Sequence, residues 1–530
     1  MSWLRDDELR VGLGCMRLAA EHAEATLEAA LEAGITVFDT ARAYGSAPGD
    51  SERLLARVLR GTPARVVTKG GMSRPGGAWV PDGRAAAVLA DCEASLAALE
   101  GQLDLYLLHA PDPRTPWRTS VRALARLLDQ GLVPRVGVCN VSRAQLDEAL
   151  DHVPVTAVQN ALSRYDDTAL RGGVLDRCEE LGITLLAHSP LGGPRRAARL
   201  DAEAALAALL ATSPVVVPIP GATRAETARS AARAASLELP AATELRPRPA
   251  SSPSRDGEVV LVMGIPGAGK SRLALGLTEH ERLNRDERGG TLKGIAEELD
   301  ARLGSGLTRV VVDNTYLTRA TRSHVVDVAR RHGLPVRCVW VDTPLAQAQV
   351  NLVGRLLDLA GHLPSPEEVR ALAKKAPGVM LPGSQMRAAR ELEAPGEDEG
   401  FSEITRVPFL RTPAEGTSGT VVAAQALDRP GWEDAVTAGG PPYLLMAWLP
   451  DGDGDLAARV GLLERLGATD VGVCRHAPGP PQCWCRPPLP GLVLDFCRRH
   501  GVDPARARVV GTSPAHRTLA NALGSDVVLV

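Results

Sequence analysis

The chain has 530 residues, of which 45% are hydrophobic and 23% charged, and its formal net charge is −3. At roughly 100–200 residues per domain this length exceeds one hydrophobic core and predicts about three domains, and the composition excludes wholesale disorder. The near-neutral charge excludes an electrostatic footprint for nucleic acid over the whole molecule, and 3% aromatic residues make a stacking platform a poor expectation, so any such contact must come from local arginines.

The N-terminal MSWLRDD has neither the basic start nor the apolar run of a signal peptide, and no apolar stretch of about 18 residues follows, so the expected setting is cytoplasmic with no membrane partner. Nine cysteines, an odd number spread thinly, argue against a disulfide framework. Two polar stretches read as linkers: the Pro/Ser-rich ELRPRPASSPSRD at 244–256, and the Gly/Pro/Thr-rich 412–441. The predicted domains are therefore 1–243, 257–411 and 442–530, without an internal repeat.

The first part alternates short apolar runs (ITVFD, ARVVTKG, LDLYLLH, PRVGVCN, TAVQN, ITLLAHS, VVVPIPG) with stretches of helical period. That pattern predicts a parallel α/β barrel, whose active site lies at the C-terminal ends of its strands. Asp39, Lys69 and His109 each close a different run, and Tyr44 follows five residues after Asp39. In a barrel they converge on one mouth, where a Tyr beside a Lys suits a general acid, since a nearby ammonium lowers the phenol pKa.

These residues resemble the aldo-keto reductase family. The matching stretches are GLGCMR at 12–17, FDTARAYG at 38–45, GDSERLL at 49–55, VVTKGG at 66–71, SLAALEGQLDLYLLH at 95–109, GVCN at 137–140, AVQN at 157–160, HSPLG at 188–192 and IPGATR at 219–224. The resemblance implies a (β/α)8 TIM barrel that reduces a small carbonyl substrate with NADPH. Tyr44 would be the proton donor, Asp39 and Lys69 would tune it, and His109 would orient the substrate. It further implies cofactor contacts from Asn140, Asn160, His188, Ser189, Leu191, Gly221, Thr223 and Arg224, the asparagines at the carboxamide and the last two at the ribose phosphate. His188 departs from the family, which commonly has an aromatic there to stack on the nicotinamide.

In the second part, the apolar run VVLVMG leads into Gly264-Ile-Pro-Gly267-Ala268-Gly269-Lys270-Ser271 and then a helical segment, which is the P-loop pattern in its strand–loop–helix context. Its glycines turn backbone N–H groups toward phosphates, Lys270 reaches the β/γ oxygens of ATP, and Ser271 holds Mg²⁺. Asp286, in LNRDERGG, suits a base for an acceptor hydroxyl, and Asp313 ends a second buried strand, RVVVDNT. Asn351 and Arg355 lie one helical turn apart, as a lid helix requires.

GIPGAGKS, NRD, VDNT, HGLPVRCVWVDTPLAQAQVN at 332–351 and APGEDEGFSEITRVPF at 394–409 together resemble the kinase domain of polynucleotide kinase-phosphatases. That implies a three-layer α/β sandwich transferring the ATP γ-phosphate to a 5′-hydroxyl of RNA or DNA, with Lys270 as phosphate clamp, Asp286 as general base and Arg355 as lid arginine. Where some members place an arginine three residues after the base, this chain has Gly289, and Arg285 and Arg288 are the nearby substitutes.

Near the C-terminus, Cys474, His476, Cys483 and Cys485 form a ligand set suited to tetrahedral Zn²⁺. The surroundings resemble the C-terminal half of histidinol-phosphate and heptose-bisphosphate phosphatases of the haloacid dehalogenase superfamily, which implies a small, partial Rossmann-like domain. Its phosphatase chemistry is expected to be absent, because Pro487, Thr512 and His516 stand where that family has a lysine and two acidic metal ligands. The segment Asp451-Gly-Asp-Gly-Asp455 reads as a solvated turn, too close to the knuckle for an intervening strand and helix. Two other readings stay open: a small-metabolite acceptor for the kinase, and an NADPH-sensing scaffold.

Overall fold

The structure, a computed structural model, describes residues 3–18, 21–237, 254–411, 416–479 and 481–530. Residues 1–249 and 250–530 form separate compact units. Most of the linker expected at 244–256 lies outside the described residues.

The first unit is an eight-stranded parallel sheet curled into a barrel. Its strands are β1 (Gly12–Gly14), β2 (Val37–Asp39), β3 (Arg65–Gly70), β4 (Leu105–Leu108), β5 (Val136–Cys139), β6 (Val155–Ala161), β7 (Thr184–His188) and β8 (Val216–Pro218). Successive side chains alternate between two apolar layers, as the period of a strand demands. Phe38, Val66 and Tyr106 face the surrounding helices, whereas Val37, Val67, Leu105 and Leu107 fill the barrel with Trp3 and Leu4. The same alternation carries Asp39 and Lys69 to the inside at their strand ends. The ring closes where Gly14 N–H donates to Pro220 O at 2.9 Å, beside a parallel bridge between Gly14 and Gly221. A Cβ on Gly14 would lie 3.0 Å from Ile219 O, so a larger residue would crowd the approach of the two backbones.

The second unit holds two five-stranded parallel sheets. One has the order β10-β11-β9-β12-β13, with β9 (Glu258–Met263), β10 (Glu281–Leu283), β11 (Arg309–Asp313), β12 (Val336–Asp342) and β13 (Glu403–Pro408). The P-loop follows β9, the central strand, and Asp313 ends its neighbour β11, so both stand at the C-terminal edge where doubly wound sheets bind ligands. In the 394–409 tail, Glu399 takes both ends of the fully buried Arg322 guanidinium at 2.7 Å, so this segment ties down the sheet's flank.

The other sheet has the order β16-β15-β14-β17-β18, with β14 (Thr417–Ala423), β15 (Tyr443–Trp448), β16 (Thr469–Cys474), β17 (Val502–Gly511) and β18 (Asp526–Leu529). Two expectations are corrected here. The segment 412–441, read as a linker, supplies the central strand β14 and the helix Trp432–Thr437; its first residues, 412–415, lie outside the described ones. The apolar core of β14 is short, from Val421 to Ala423, and the flanking Gly, Thr and Pro conceal it. The Asp451–Asp455 turn is exposed, but the helix Leu456–Glu464 and strand β16 do fit between it and the knuckle.

The helix Leu345–Ala360 belongs by chain order to the P-loop region, yet its Leu352, Val353 and Leu356 share one core with Val421 and Leu444 of the second sheet, Trp484 of the knuckle loop and Phe496 of the helix Gly491–His500. Among the described residues no helix is long and apolar enough to cross a membrane.

Candidate active sites and a candidate metal centre

At the barrel mouth, Lys69 Nζ donates to Asp39 Oδ2 at 2.8 Å, to Thr40 O at 2.7 Å and to Tyr44 OH at 3.3 Å. Asp39 Oδ1 accepts from Gln159 Nε2 at 2.7 Å, so the carboxylate is held from both sides. All four of Asp39, Tyr44, Lys69 and His109 are buried. Burial pulls the Lys69 ammonium down, but Asp39, Tyr44 and Cys139 outweigh it and hold the group above its ordinary value. Burial pushes the Tyr44 phenol up, and the Lys69 ammonium opposes this without overcoming it. The expectation that the ammonium brings the phenol down is thus corrected: desolvation is the larger effect. Burial, then Lys69 and His188, drives the His109 imidazole well below its ordinary value, and its Nδ1 is buried without a partner. Trp79 stands edge-on to Tyr44, with ring centroids 6.1 Å apart, and 5.6 Å from the His109 ring, completing an aromatic wall.

In the P-loop, Gly264, Gly267 and Gly269 all have positive φ, at 148°, 83° and 97°. A Cβ on Gly267 would lie 2.3 Å from Ala348 O. The loop carbonyls are tied back: Pro266 O accepts from Gln385 Nε2 at 2.8 Å, Gly267 O from Asn351 Nδ2 at 2.9 Å and Ala268 O from Thr343 Oγ1 at 2.9 Å. Gly264 N–H and Ala268 N–H are themselves engaged by Thr315 O and Ile265 O at 3.1 Å, so an anion would meet the other N–H groups of the loop, those of Gly267, Gly269 and Lys270. Lys270 Nζ donates to Ile265 O at 2.9 Å, and burial pulls its pKa down to about 8 against the partial support of Asp313 and Asp286. Ser271 is exposed on the first turn of the helix Lys270–Leu275.

Asp313 is fully buried; its Oδ2 accepts from Arg282 Nη2 at 2.6 Å and Asn284 Nδ2 at 3.0 Å, while Oδ1 has no partner. Asp286, on the short helix Arg285–Arg288, keeps its side chain 41% exposed. Arg355 Nη2 donates to Pro377 O at 2.7 Å. A Cβ on Gly378 would lie 2.8 Å from Arg355 Nη1 and 3.4 Å from Asp286 Oδ2, so both side chains border this glycine. Of the two suggested substitute arginines, Arg288 is drawn off to Glu298 and Glu281, and Arg285 lies 3.5 Å from Asp286.

Cys474, His476, Cys483 and Cys485 bring their ligand atoms within 4.8 Å of one another. Cys474 Sγ is 3.7 Å from Cys483 Sγ and 3.6 Å from His476 Nδ1, and Cys485 Sγ is 3.3 Å from that nitrogen. Tetrahedral zinc, with bonds of about 2.3 Å to sulfur and about 2.0 Å to nitrogen, has edges of roughly 3.5–3.8 Å. The cluster could therefore hold such an ion.

A model of the aldo/keto reductase family matches residues 10–202, and a model of an AAA domain matches residues 259–370. An uncharacterized oxidoreductase of Schizosaccharomyces pombe is 30% identical over 256 residues, a match covering 43% of this chain and 82% of the relative. The chain belongs to the aldo/keto reductase family. Among solved structures, a thermostable aldo-keto reductase bound to the inhibitor epalrestat aligns with a TM-score of 0.39 and 28% identity, over 45% of this chain and 94% of that one. An aldo-keto reductase from Klebsiella pneumoniae in complex with NADPH aligns with a TM-score of 0.36 and 24% identity, over 44% and 87%.

The reductase residues expected at a cofactor lie along one side of the mouth. Asn140, with φ of 56°, donates from Nδ2 to His109 O at 3.1 Å and presents Oδ1 to His188 Nε2 at 2.9 Å. Asn160 is fixed by Val141, accepting at 3.1 Å and donating at 2.7 Å, which leaves it one amide hydrogen and one lone pair. Ser189 has φ of 52°, Leu191 packs on the barrel core, and Gly221 forms the closing bridge. Thr223 and Arg224 are exposed where the helix Ala225–Arg233 begins.

Sequence reasoning missed Gln159 and Trp79. Gln159 lies two residues beyond the inward Ala157, so strand period alone aims it at Asp39; Trp79 is a lone aromatic in a Gly/Pro-rich loop with no period to place it. It also missed Arg282 and Gln385, because each acts across distant chain segments.

Proposed function

We propose that the barrel reduces a small carbonyl compound with NADPH, and that the central domain is an ATP- and Mg²⁺-dependent kinase for the 5′-hydroxyl end of RNA or DNA. In the barrel, Asn140, Asn160, Ser189 and Leu191 would hold the nicotinamide end, and Gly221, Thr223 and Arg224, at a helix N-terminus, would receive the phosphates. When bound, NADPH supplies a hydride. Tyr44, kept protonated by burial, delivers a proton to the substrate oxygen, and neutral His109 orients that oxygen. Lys69, permanently charged against Asp39, stabilises the phenolate left behind.

In the central domain, Ser271 and the unpartnered Asp313 Oδ1 are hard oxygens of the kind Mg²⁺ prefers. Lys270 would compensate the β/γ-phosphate charge, Asp286 would take the proton of the attacking hydroxyl, and Arg355 would compensate charge on the phosphoryl in flight. The placement of Asp286 and Arg355 on either side of Gly378, with Asp286 in electrostatic reach of Lys270, carries this reading. The exposure of Asp286 leaves room for a polynucleotide end. The second sheet, whose central strand ends in Ala423-Ala424-Gln425 with no carboxylate, serves as a zinc-bearing support of haloacid dehalogenase type without phosphatase activity.

The test is incubation with labelled ATP, Mg²⁺ and a 5′-hydroxyl oligonucleotide, with Lys270→Ala as control. Label on the oligonucleotide is expected. Label on a metabolite pool alone would overturn the polynucleotide assignment in favour of a small acceptor, the second reading, which the net charge of −3 and 3% aromatic content favour.

A further inference from the structure

We infer that Trp484, inside the Cys/His knuckle, is a positioning residue for Arg355, so that metal occupancy of the knuckle is felt at the phosphoryl-transfer site; this rests on the kinase reading above. Trp484 lies between two of the four candidate ligands, Cys483 and Cys485, and is 1% exposed. Its Nε1–H donates to Met380 O at 3.0 Å. Its own carbonyl accepts from Gly491 N at 3.2 Å, and a Cβ on Gly491 would lie 2.5 Å from that oxygen and 2.9 Å from Leu363 Cδ1, so nothing larger than glycine fits the joint.

Met380 closes a short run that begins at the active site. Pro377 O takes the Arg355 guanidinium, Gly378 separates Arg355 from Asp286, and Val379 is buried in the core that Trp484 enters. Leu352, Val353 and Leu356, from the helix that carries Arg355, line the same core. The indole therefore hydrogen-bonds the loop whose carbonyl holds the Arg355 head, and it shares one buried core with the helix that bears Arg355. The knuckle loop from Arg475 to Gly479 carries no regular secondary structure, and its residues are exposed apart from the half-buried His476. A tetrahedral ion is what would fix Cys483 and Cys485 on either side of the indole, and structural zinc supplies folding free energy of this kind.

The test uses the full chain loaded with ZnCl2, the same protein after chelation, and Trp484→Phe, which keeps an aromatic side chain in the core and removes the N–H donor. Amide exchange in residues 377–381 is expected to rise on chelation and in Trp484→Phe, while β9 stays protected and NADPH oxidation by the barrel is unchanged. The turnover number for ATP is expected to fall about tenfold in both cases, with nucleotide Kd moving less than about twofold, the scale on which supports of a site are felt. In an Arg355→Ala background, Trp484→Phe is expected to cause no further loss. Failure of the chain to take up zinc, an equal loss with and without Arg355, or unchanged exchange at 377–381 would overturn the proposal while leaving the kinase reading intact. Absence of ATP turnover in the zinc-loaded wild type would remove both.

Discussion

Lys69 in the barrel and Lys270 in the P-loop each sit near strand-end aspartates, yet their environments move them in opposite directions. Asp39 gives Lys69 a direct partner at 2.8 Å, and the ammonium is held above its ordinary value. Asp313 commits one oxygen to Arg282 and Asn284 and makes no hydrogen bond to Lys270, which donates to a backbone carbonyl instead, and burial brings it down to about 8. The comparison teaches that a lysine's role follows from who else claims its carboxylate. One lysine is a fixed charge, part of the fold and of the proposed catalytic set; the other, in the proposed function, is a charge held ready for an anion that arrives later.

The sharpest challenge to the first half is Tyr44→Phe, which removes the proposed proton donor and leaves the Asp39–Lys69 pair. It should lower the reduction rate by about 10²–10⁴-fold with cofactor affinity unchanged, as read by stopped-flow NADPH oxidation and a binding titration. Paired lysine substitutions break the symmetry next. Lys69→Met strands a buried Asp39 and should destabilise the barrel by ~3–5 kcal/mol in thermal unfolding, whereas Lys270→Met removes a charge that burial already disfavours and should leave the second unit's unfolding midpoint within a degree or two. Equal losses at the two positions would erase the distinction.

Gln159→Leu probes how far the fixed pair depends on its third member. Losing the donor at 2.7 Å from Asp39 should cost ~1.5–3 kcal/mol, checked by denaturant unfolding and a parallel fall in reductase turnover. The smallest effect is in pH. In the free protein Lys270 loses its proton near pH 8, while bound triphosphate favours the protonated form, so raising pH must oppose binding. Nucleotide affinity should be flat below about pH 7 and weaken by up to about tenfold per pH unit above 8, and Lys270→Met should flatten the profile.

The barrel was legible because its strands are continuous apolar runs and its polar residues close them, so alternation alone points Asp39 and Lys69 inward. The P-loop was legible because Gly264, Gly267 and Gly269 need a backbone conformation that few residues accept. What escaped was what depends on distant segments meeting. β14 has too short an apolar run to outweigh the Gly, Thr and Pro around it. Gln159 gains its meaning only from Asp39, 120 positions away, and Trp484 from Met380, 104 positions away. The direction of the Tyr44 shift also escaped, since the neighbouring ammonium is visible in the sequence and the depth of burial is not.

The Gly14–Gly221 closure has a consequence for how the barrel loosens. First and last strands, each three residues long, are joined there by a single bridge, whereas every neighbouring pair of barrel strands has at least three residues in register. Local opening begins where few hydrogen bonds must break, so this seam is the natural place for the ring to part. Thr223 and Arg224 follow directly from it, and a dinucleotide gripped at those residues would act as a clasp across the join, tightening the whole ring as it settles.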